Sequence, residues 1–163
     1  MKKIVSLVMV VLLLGVYGLF ALGSGESKTD DQGTDSASET KENSNLGSYK
    51  VDIVSCRFAK DYEGKKVAIV KYTFTNHSED PSSFFVAFDD NAYQNGVGLN
   101  EAYFLDDSAN YSSDNQTKEI KKDASIDVEV AYVLNDSTTP LEIEVKQLFS
   151  FDDSTVTKTF EIS

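Results

Sequence analysis

In the run SIDVEVAYVL, Ile126, Val128 and Val130 alternate with Asp127 and Glu129. Successive side chains of a strand point to opposite faces, so a period of two gives this run one apolar face and one solvated face. The same texture recurs from Tyr49 onward. YKVDIVSCRFAK reads as a first strand, DYEGKK as a turn at Gly64, and VAIVKYTFTNH as a strand with Ala68, Val70, Tyr72 and Phe74 on one face. HSEDPSS turns the chain at Pro81. SFFVAF is apolar on both faces, Phe84, Val86 and Phe88 against Phe85 and Ala87, and is predicted to be an interior strand. A long polar region, residues 89–124, holds one short apolar piece, AYFL. LEIEVKQLFSF places Leu141, Ile143, Val145, Phe149 and Phe151 in one phase, and TVTKTFEI does the same for Val156, Phe160 and Ile162.

No amphipathic helix of useful length appears after residue 25. Six or seven alternating strands separated by turns predict an all-β fold, an antiparallel β-sandwich over residues 47–163. The immunoglobulin-like arrangement is the expected topology, with a small barrel as the alternative. The antibody hallmarks are missing, since the chain has one cysteine and no Trp. A single cysteine, Cys56, also rules out a disulfide within the chain, so packing alone must stabilise the domain. Within VDIVSCRF, Cys56 reads as a small buried apolar side chain.

The N-terminus is of a different kind. Lys2 and Lys3 precede an uncharged apolar run from Ile4 to Leu22, 19 residues in all. As a helix this run spans roughly 28 Å, against about 30 Å for a hydrocarbon core. It exceeds the usual apolar stretch of a cleaved signal and lacks a strong cleavage site; the best, Ala21-Leu22-Gly23, precedes Ser24. The two lysines place the N-terminus inside and the rest outside. Residues 1–22 are therefore read as a retained transmembrane helix in a bacterial-type cell membrane, with cleavage and secretion near Gly23 as the alternative. Lipidation requires a thiol, and the position before the Gly/Ser spacer holds Leu22. Residues 23–46 are rich in Ser, Thr, Asp, Glu and Gly and have almost no apolar residue before Leu46. They are predicted to be a disordered acidic linker with a reach of roughly 25–30 Å.

The formal charge is −12, and residues 47–163 carry eleven Lys/Arg against twenty-one Asp/Glu. Phosphate backbones are bound through Lys and Arg, so nucleic acid is excluded as a partner class. The acidity favours solubility and a cationic partner.

Catalysis by a nucleophile needs a base and an orienting group, and zinc needs three or four N/S ligands. The chain offers only His77, in a turn, and Cys56, in a strand. No enzyme and no cofactor is expected. Loops FDDNAYQNG and LDDSANYSSDN concentrate oxygen ligands, but neither matches the alternating pattern of a calcium loop with glycine at the sixth place. A looser calcium site using Asp89, Asp90, Asp106 or Asp107 is the alternative function, as a ligand-binding or enzymatic module. Turn chemistry accounts for the same residues. Tyr93, Tyr103, Phe104 and Tyr111 cluster near these loops, as a recognition surface or as caps on the core.

Four stretches carry a family resemblance: VAIVKYTFTNHSED, AYQNGVGLNEA, EIKKDASIDVEVAYVLNDSTTPLEIEV and FSFDDSTVTKTFEI. A strand ends in Thr75-Asn76-His77-Ser78, a Gln94-Asn95-Gly96 turn follows, and a further turn precedes Ala131-Tyr132-Val133-Leu134. The chain resembles a family of Gram-positive cell-surface and lipoprotein modules with an immunoglobulin-like fold and no assigned function. In that family the last turn carries glycine, whereas here it reads Lys122-Asp123-Ala124. The resemblance implies an extracytoplasmic adhesion or accessory module and supplies no catalytic residues. With the residue-level reading, it points to a non-enzymatic, membrane-tethered interaction module whose partner is an extracellular protein or an envelope glycan.

Overall fold

The structure is a computed structural model that describes residues 44–162 and the backbone of Ala37–Ser38. The predicted membrane segment, residues 1–22, and most of the predicted linker lie outside the described residues. Among the described residues no helix is long and apolar enough to cross a membrane.

The fold is all-β and antiparallel, in two sheets. The strands are β1 (Ala37–Ser38), β2 (Asn45–Leu46), β3 (Tyr49–Lys60), β4 (Lys66–Asn76), β5 (Phe88–Gln94), β6 (Val97–Gly98), β7 (Ser125–Val133), β8 (Leu141–Gln147) and β9 (Thr155–Phe160). One sheet has the order β2-β3-β4-β7, the other β1-β9-β8-β5-β6. The predicted linker extends to residue 46, yet Asn45–Leu46 pairs with Tyr49 and Lys50, and Leu46 is buried in the core. Ala37 and Ser38 pair with Phe160 and Thr159.

The alternation read from the sequence places the core. Ala68, Val70, Tyr72 and Phe74 of β4 and Val128 and Val130 of β7 pack in one cluster with Leu141, Ile143 and Val145 of β8 and Val156 and Phe160 of β9. Both sheets thus bury their inner faces together. A second, smaller cluster lies on the outer face of the first sheet. There Ala102 and Leu105 cover Val67, Ile69 and Ala131. Strand β4 is therefore apolar on both faces at its start because it has neighbours on both.

In β3 the inward positions change parity. Val51 and Ile53 face the core, then Cys56 and Phe58, because the register slips between Ile53 and Ser55. A β-bulge at this point absorbs one residue and turns Val54 outward. Lys158 of the opposite sheet donates from Nζ to the carbonyls of Ile53 (3.0 Å) and Val54 (2.9 Å), so the bulge is tied to β9.

Two predicted strands are corrected. SFFVAF is not an interior strand: Phe84–Ala87 form a single helical turn, α1, and β5 begins at Phe88. Phe84, Ala87 and Phe88 are buried while Phe85 and Val86 are exposed. That is a helical i, i+3, i+4 spacing, concealed in a run where every residue is apolar. Strand β8 stops at Gln147, so Phe149 and Phe151 are not in its phase. Phe149 has a φ of 56°, which breaks the alternation, and both rings are fully or almost fully exposed.

The turns explain the polar residues of the resemblance. Asn95 (φ 52°) and Gly96 (φ 71°) form the tight β5–β6 hairpin, where both central residues need positive φ. Asn76 is buried and holds the β4 end. Its Nδ2 donates to the carbonyls of Asp80 and Ile120, and its Oδ1 accepts from Ser78. Gln94 acts likewise on the β7–β8 turn, donating to the carbonyls of Asp136 and Thr139 and accepting from the amides of Asn135 and Asp136. Asp123 occupies the left-handed region (φ 61°), which a glycine would enter at no steric cost. Its only described side-chain partner is the exposed His77, at 3.1 Å. Asp123→Gly should therefore raise the unfolding free energy by about 0.5–1 kcal/mol, measured by urea titration.

Candidate functional site

The inward face of β5 carries Phe88, Asp90, Ala92 and Gln94 in alternation, flanked by outward Asp89, Asn91 and Tyr93. Two of the four inward residues are polar. Gln94 spends all its hydrogen-bonding capacity on the turn described above. Asp90 faces across the interior, where it accepts a hydrogen bond from the Tyr132 hydroxyl of β7. Tyr132 in turn lies 3.3 Å from the hydroxyl of Tyr72 on β4. Both tyrosines are buried, so this chain of three polar groups links the two sheets through their core.

Asp90 is also the floor of a pocket. A cavity of about 370 Å³ is lined by Phe85, Val86, Phe88, Asp89, Asp90, Glu101, Leu148 and Phe149. Each element is placed by a specific contact. The α1 turn is held by Phe84, which packs on Tyr72, Phe74 and Phe88 with ring centroids 5.1–6.4 Å apart. Phe85 donates its amide to the Gln116 carbonyl, and Leu148 donates to the Ala87 carbonyl, which brings the end of β8 against α1. Glu101 pairs with Tyr132 along the free edge of β7, flanked by the Ala102–Ala131 and Val133–Asn100 backbone bonds. Residues directly opposite in a ladder share a face, so Glu101 is on the Tyr132 side, toward Asp90.

Removal from water pushes the Asp90 carboxyl up to about 6 from its usual 3.8. The Tyr132 hydrogen bond opposes this, while the nearby charges of Glu101 and Asp89 add to it. Tyr72 and Tyr132 are raised well above the usual phenol range by burial. The neighbouring carboxylate of Glu101 raises the Tyr103 hydroxyl above the usual phenol range.

A shallower cleft adjoins this pocket through Glu101. It is lined by Asp61, Tyr62, Glu63, Glu101, Ala102, Tyr103, Phe104 and Val133. Tyr62, Tyr103 and Phe104 are 65%, 66% and 78% exposed. Arg57 fixes the loop beyond. It pairs with Glu129 at 2.8 Å and donates to the carbonyls of Ala109 and Asn110.

Of the residues singled out from sequence, Tyr103, Phe104 and Tyr111 line one cleft with Tyr62, Asp106 and Asp107. Tyr93 stands apart on the outer side of β5, opposite Gly98 and Glu142. The four aspartates divide into two pairs. Asp89 and Asp90 belong to the pocket. Asp106 caps the short 3₁₀ turn Asp107–Ala109, and its bonds to Ser108 hold its carboxyl below the usual range. Asp107 accepts from Tyr62 at 3.2 Å. Among the described residues no group of three or more His, Cys, Asp or Glu is arranged to hold a metal ion. Cys56 is half-buried in mid-strand opposite Val70, and His77 is exposed just beyond β4. Sequence reasoning missed Glu101, Phe85, Val86, Phe149 and Tyr132. Asp90 in phase with Phe88 and Ala92 was the available signal.

A family model described as a domain of unknown function matches residues 24–147. Among solved structures, the chain is similar to one described as "a putative lipoprotein from Staphylococcus aureus subsp. aureus NCTC 8325". The TM-score is 0.54 at 19% identity, over 76% of this chain and 92% of that one, which establishes a shared fold. None of the curated proteins matches the sequence.

Proposed function

The chain belongs to the DUF5067 family, whose domain has no known function, and from that premise we propose a non-enzymatic, membrane-tethered binding module outside the cytoplasm. Its domain is an immunoglobulin-like β-sandwich that presents one face to an extracellular protein or an envelope glycan. Strand order supports this topology. Strands β3-β4-β7 on one sheet and β9-β8-β5-β6 on the other follow an immunoglobulin-type Greek key, and the Glu101 pairing on β7 occupies the place of a fourth strand. The lipoprotein description of the similar staphylococcal structure supports surface attachment. Here the Ile4–Leu22 run, rather than a lipid, is the proposed anchor.

One observation carries the reading. Tyr62, Phe85, Val86, Tyr103, Phe104 and Phe149 are all more than half exposed and line two cavities that meet at Glu101. Clustered exposed apolar side chains mark interaction sites, and aromatics anchor interfaces at little entropic cost. The loops that carry them sit on a rigid two-sheet frame. Cross-linking on intact envelopes tests the proposal. The full chain should capture a surface component, and the Phe85→Ser/Phe104→Ser/Phe149→Ser variant, with unchanged thermal stability, should lose at least nine-tenths of that capture. Equal capture by both chains would overturn the reading.

A further inference from the structure

The chemistry of the pocket at Asp90 is more specific than a sticky surface. Its walls are apolar: Phe85 and Val86 from α1, Phe88 from β5, Leu148 and Phe149 from the turn after β8. Its polar groups are all acidic: Asp89, Asp90 and Glu101. No lysine or arginine lines it. Lys146 stands opposite Asp89 in the ladder and pairs with Glu144 at 3.6 Å. Asp90 and Glu101 form no ion pair among the described residues. Seven other carboxylates do have such a partner, among them Glu129 with Arg57 and Asp127 with Lys71.

Building on the binding-module reading, we propose that this pocket receives a basic side chain, lysine or arginine, of a partner protein. The alkyl stem lies between Phe85, Val86 and Phe149, and the cationic end reaches Asp90 and Glu101. Long basic side chains are amphipathic in this way, with an apolar stem and a charged tip. Exposed phenylalanine faces beside the carboxylates add cation–π attraction. A cavity of this size is at the small end of ligand pockets and suits one side chain rather than a folded element. The excess of ten acidic groups in residues 47–163 draws a basic partner toward it.

Protonation gives the site a signature. The titratable groups around Asp90 are Asp89 on its own strand, Glu101 and Tyr103 from the segment after β6, Tyr132 of β7 and Tyr72 of β4 behind it. Turn α1 and the end of β8 present only apolar walls. No cation there holds Asp90 ionised, so its charge is lost as pH falls through about 6.

The test uses the full chain in lipid nanodiscs and fluorescein-labelled Gly-Leu-Arg-Leu-Gly amide, followed by anisotropy. The arginine peptide should bind at least tenfold tighter than its Gln counterpart. Asp90→Asn/Glu101→Gln should abolish that preference, and Phe149→Ala should weaken binding about fivefold. A control, Glu142→Gln/Glu161→Gln, removes the same charge at the far end of β8 and β9 and should change affinity less than twofold. Lowering pH from 7 to 5 should weaken binding several-fold in the parent chain only. Equal binding of the two peptides, or equal weakening by the two double variants, overturns the proposal. If envelope capture still depends on the exposed rings while the arginine preference is absent, the binding-module reading stands and the basic side chain is wrong. If capture ignores the rings, the reading itself falls.

Discussion

Phe84→Ala should lower the unfolding free energy by about 3–5 kcal/mol, the range for removing a buried aromatic ring. Phe84 is 2% exposed and belongs to an aromatic cluster with Tyr49, Tyr72, Phe74 and Phe88. Its ring meets Tyr72, Phe74 and Phe88, and Phe74 meets Phe88 edge-on at 5.5 Å. The loss combines the transfer energy of the ring with a cavity that the two sheets cannot close. The effect should also be local. Phe84 is the anchor of α1, so Phe85 and Val86 lose their seat beside the pocket. Urea unfolding should show the full drop in midpoint, while Phe85→Ala, on the exposed side of the same turn, should cost less than 1 kcal/mol. A small effect of Phe84→Ala would mean that the turn does not pack as described.

The second large effect depends on pH. The folded chain holds a proton on Asp90 up to about pH 6, whereas an unfolded aspartate releases it near 3.8. Between these values the folded state binds more protons than the unfolded state. Stability from this group is therefore complete below pH 3.8 and is lost as pH rises through 6, about 2–3 kcal/mol in all. Asp90→Asn keeps an acceptor for Tyr132 and cannot ionise. It should be more stable than the parent by about 2 kcal/mol at pH 7 and equal to it near pH 4. Asp136 works in the opposite sense. The amides of Thr138 and Thr139 hold its carboxyl at about 2, so its contribution is lost as pH falls through that value. The two windows do not overlap, and urea midpoints at pH 3 to 7.5 separate them. If the two chains differ equally at pH 4 and 7, Asp90 is ionised throughout.

Where alternation is strict, the sequence can be read directly. Strands β4, β7, β8 and β9 bury the residues expected of them because one face of each meets the other sheet and, away from the cover of Ala102 and Leu105, the outer positions are polar. The reading fails where a core-facing position is polar or an exposed one is apolar. Strand β5 has Asp90 and Gln94 turned inward, so it reads as loop. Turn α1 has apolar residues on every side, so it reads as strand. Phe149 and Phe151 look like a continuation of β8 until a positive φ turns the chain. Most of these misreadings surround one place. Phe85, Phe149 and the inward Asp90, which obscure the local structure, line the pocket. By the same logic Tyr103 and Phe104 were legible as aromatic, while their exposure depends on Ala102 and Leu105 taking the buried positions over β4.

The positions of β1 and the pocket have a mechanical consequence. Ala37–Ser38 pairs with Thr159 and Phe160, which lie beside Leu141 and Glu142, at the start of β8. Leu148 and Phe149, at the pocket, follow the other end of that strand. Six residue steps at about 3.3 Å separate the two, roughly 20 Å along the strand. A pull transmitted from the N-terminal side of Ala37 to a partner gripped at the pocket would run parallel to the strands. It would load the β8–β9 and β5–β8 ladders in shear, with many hydrogen bonds sharing the tension, rather than peeling them one at a time. The two-residue β1 would yield first, and the load would then pass to the equally short β2 at the edge of the other sheet.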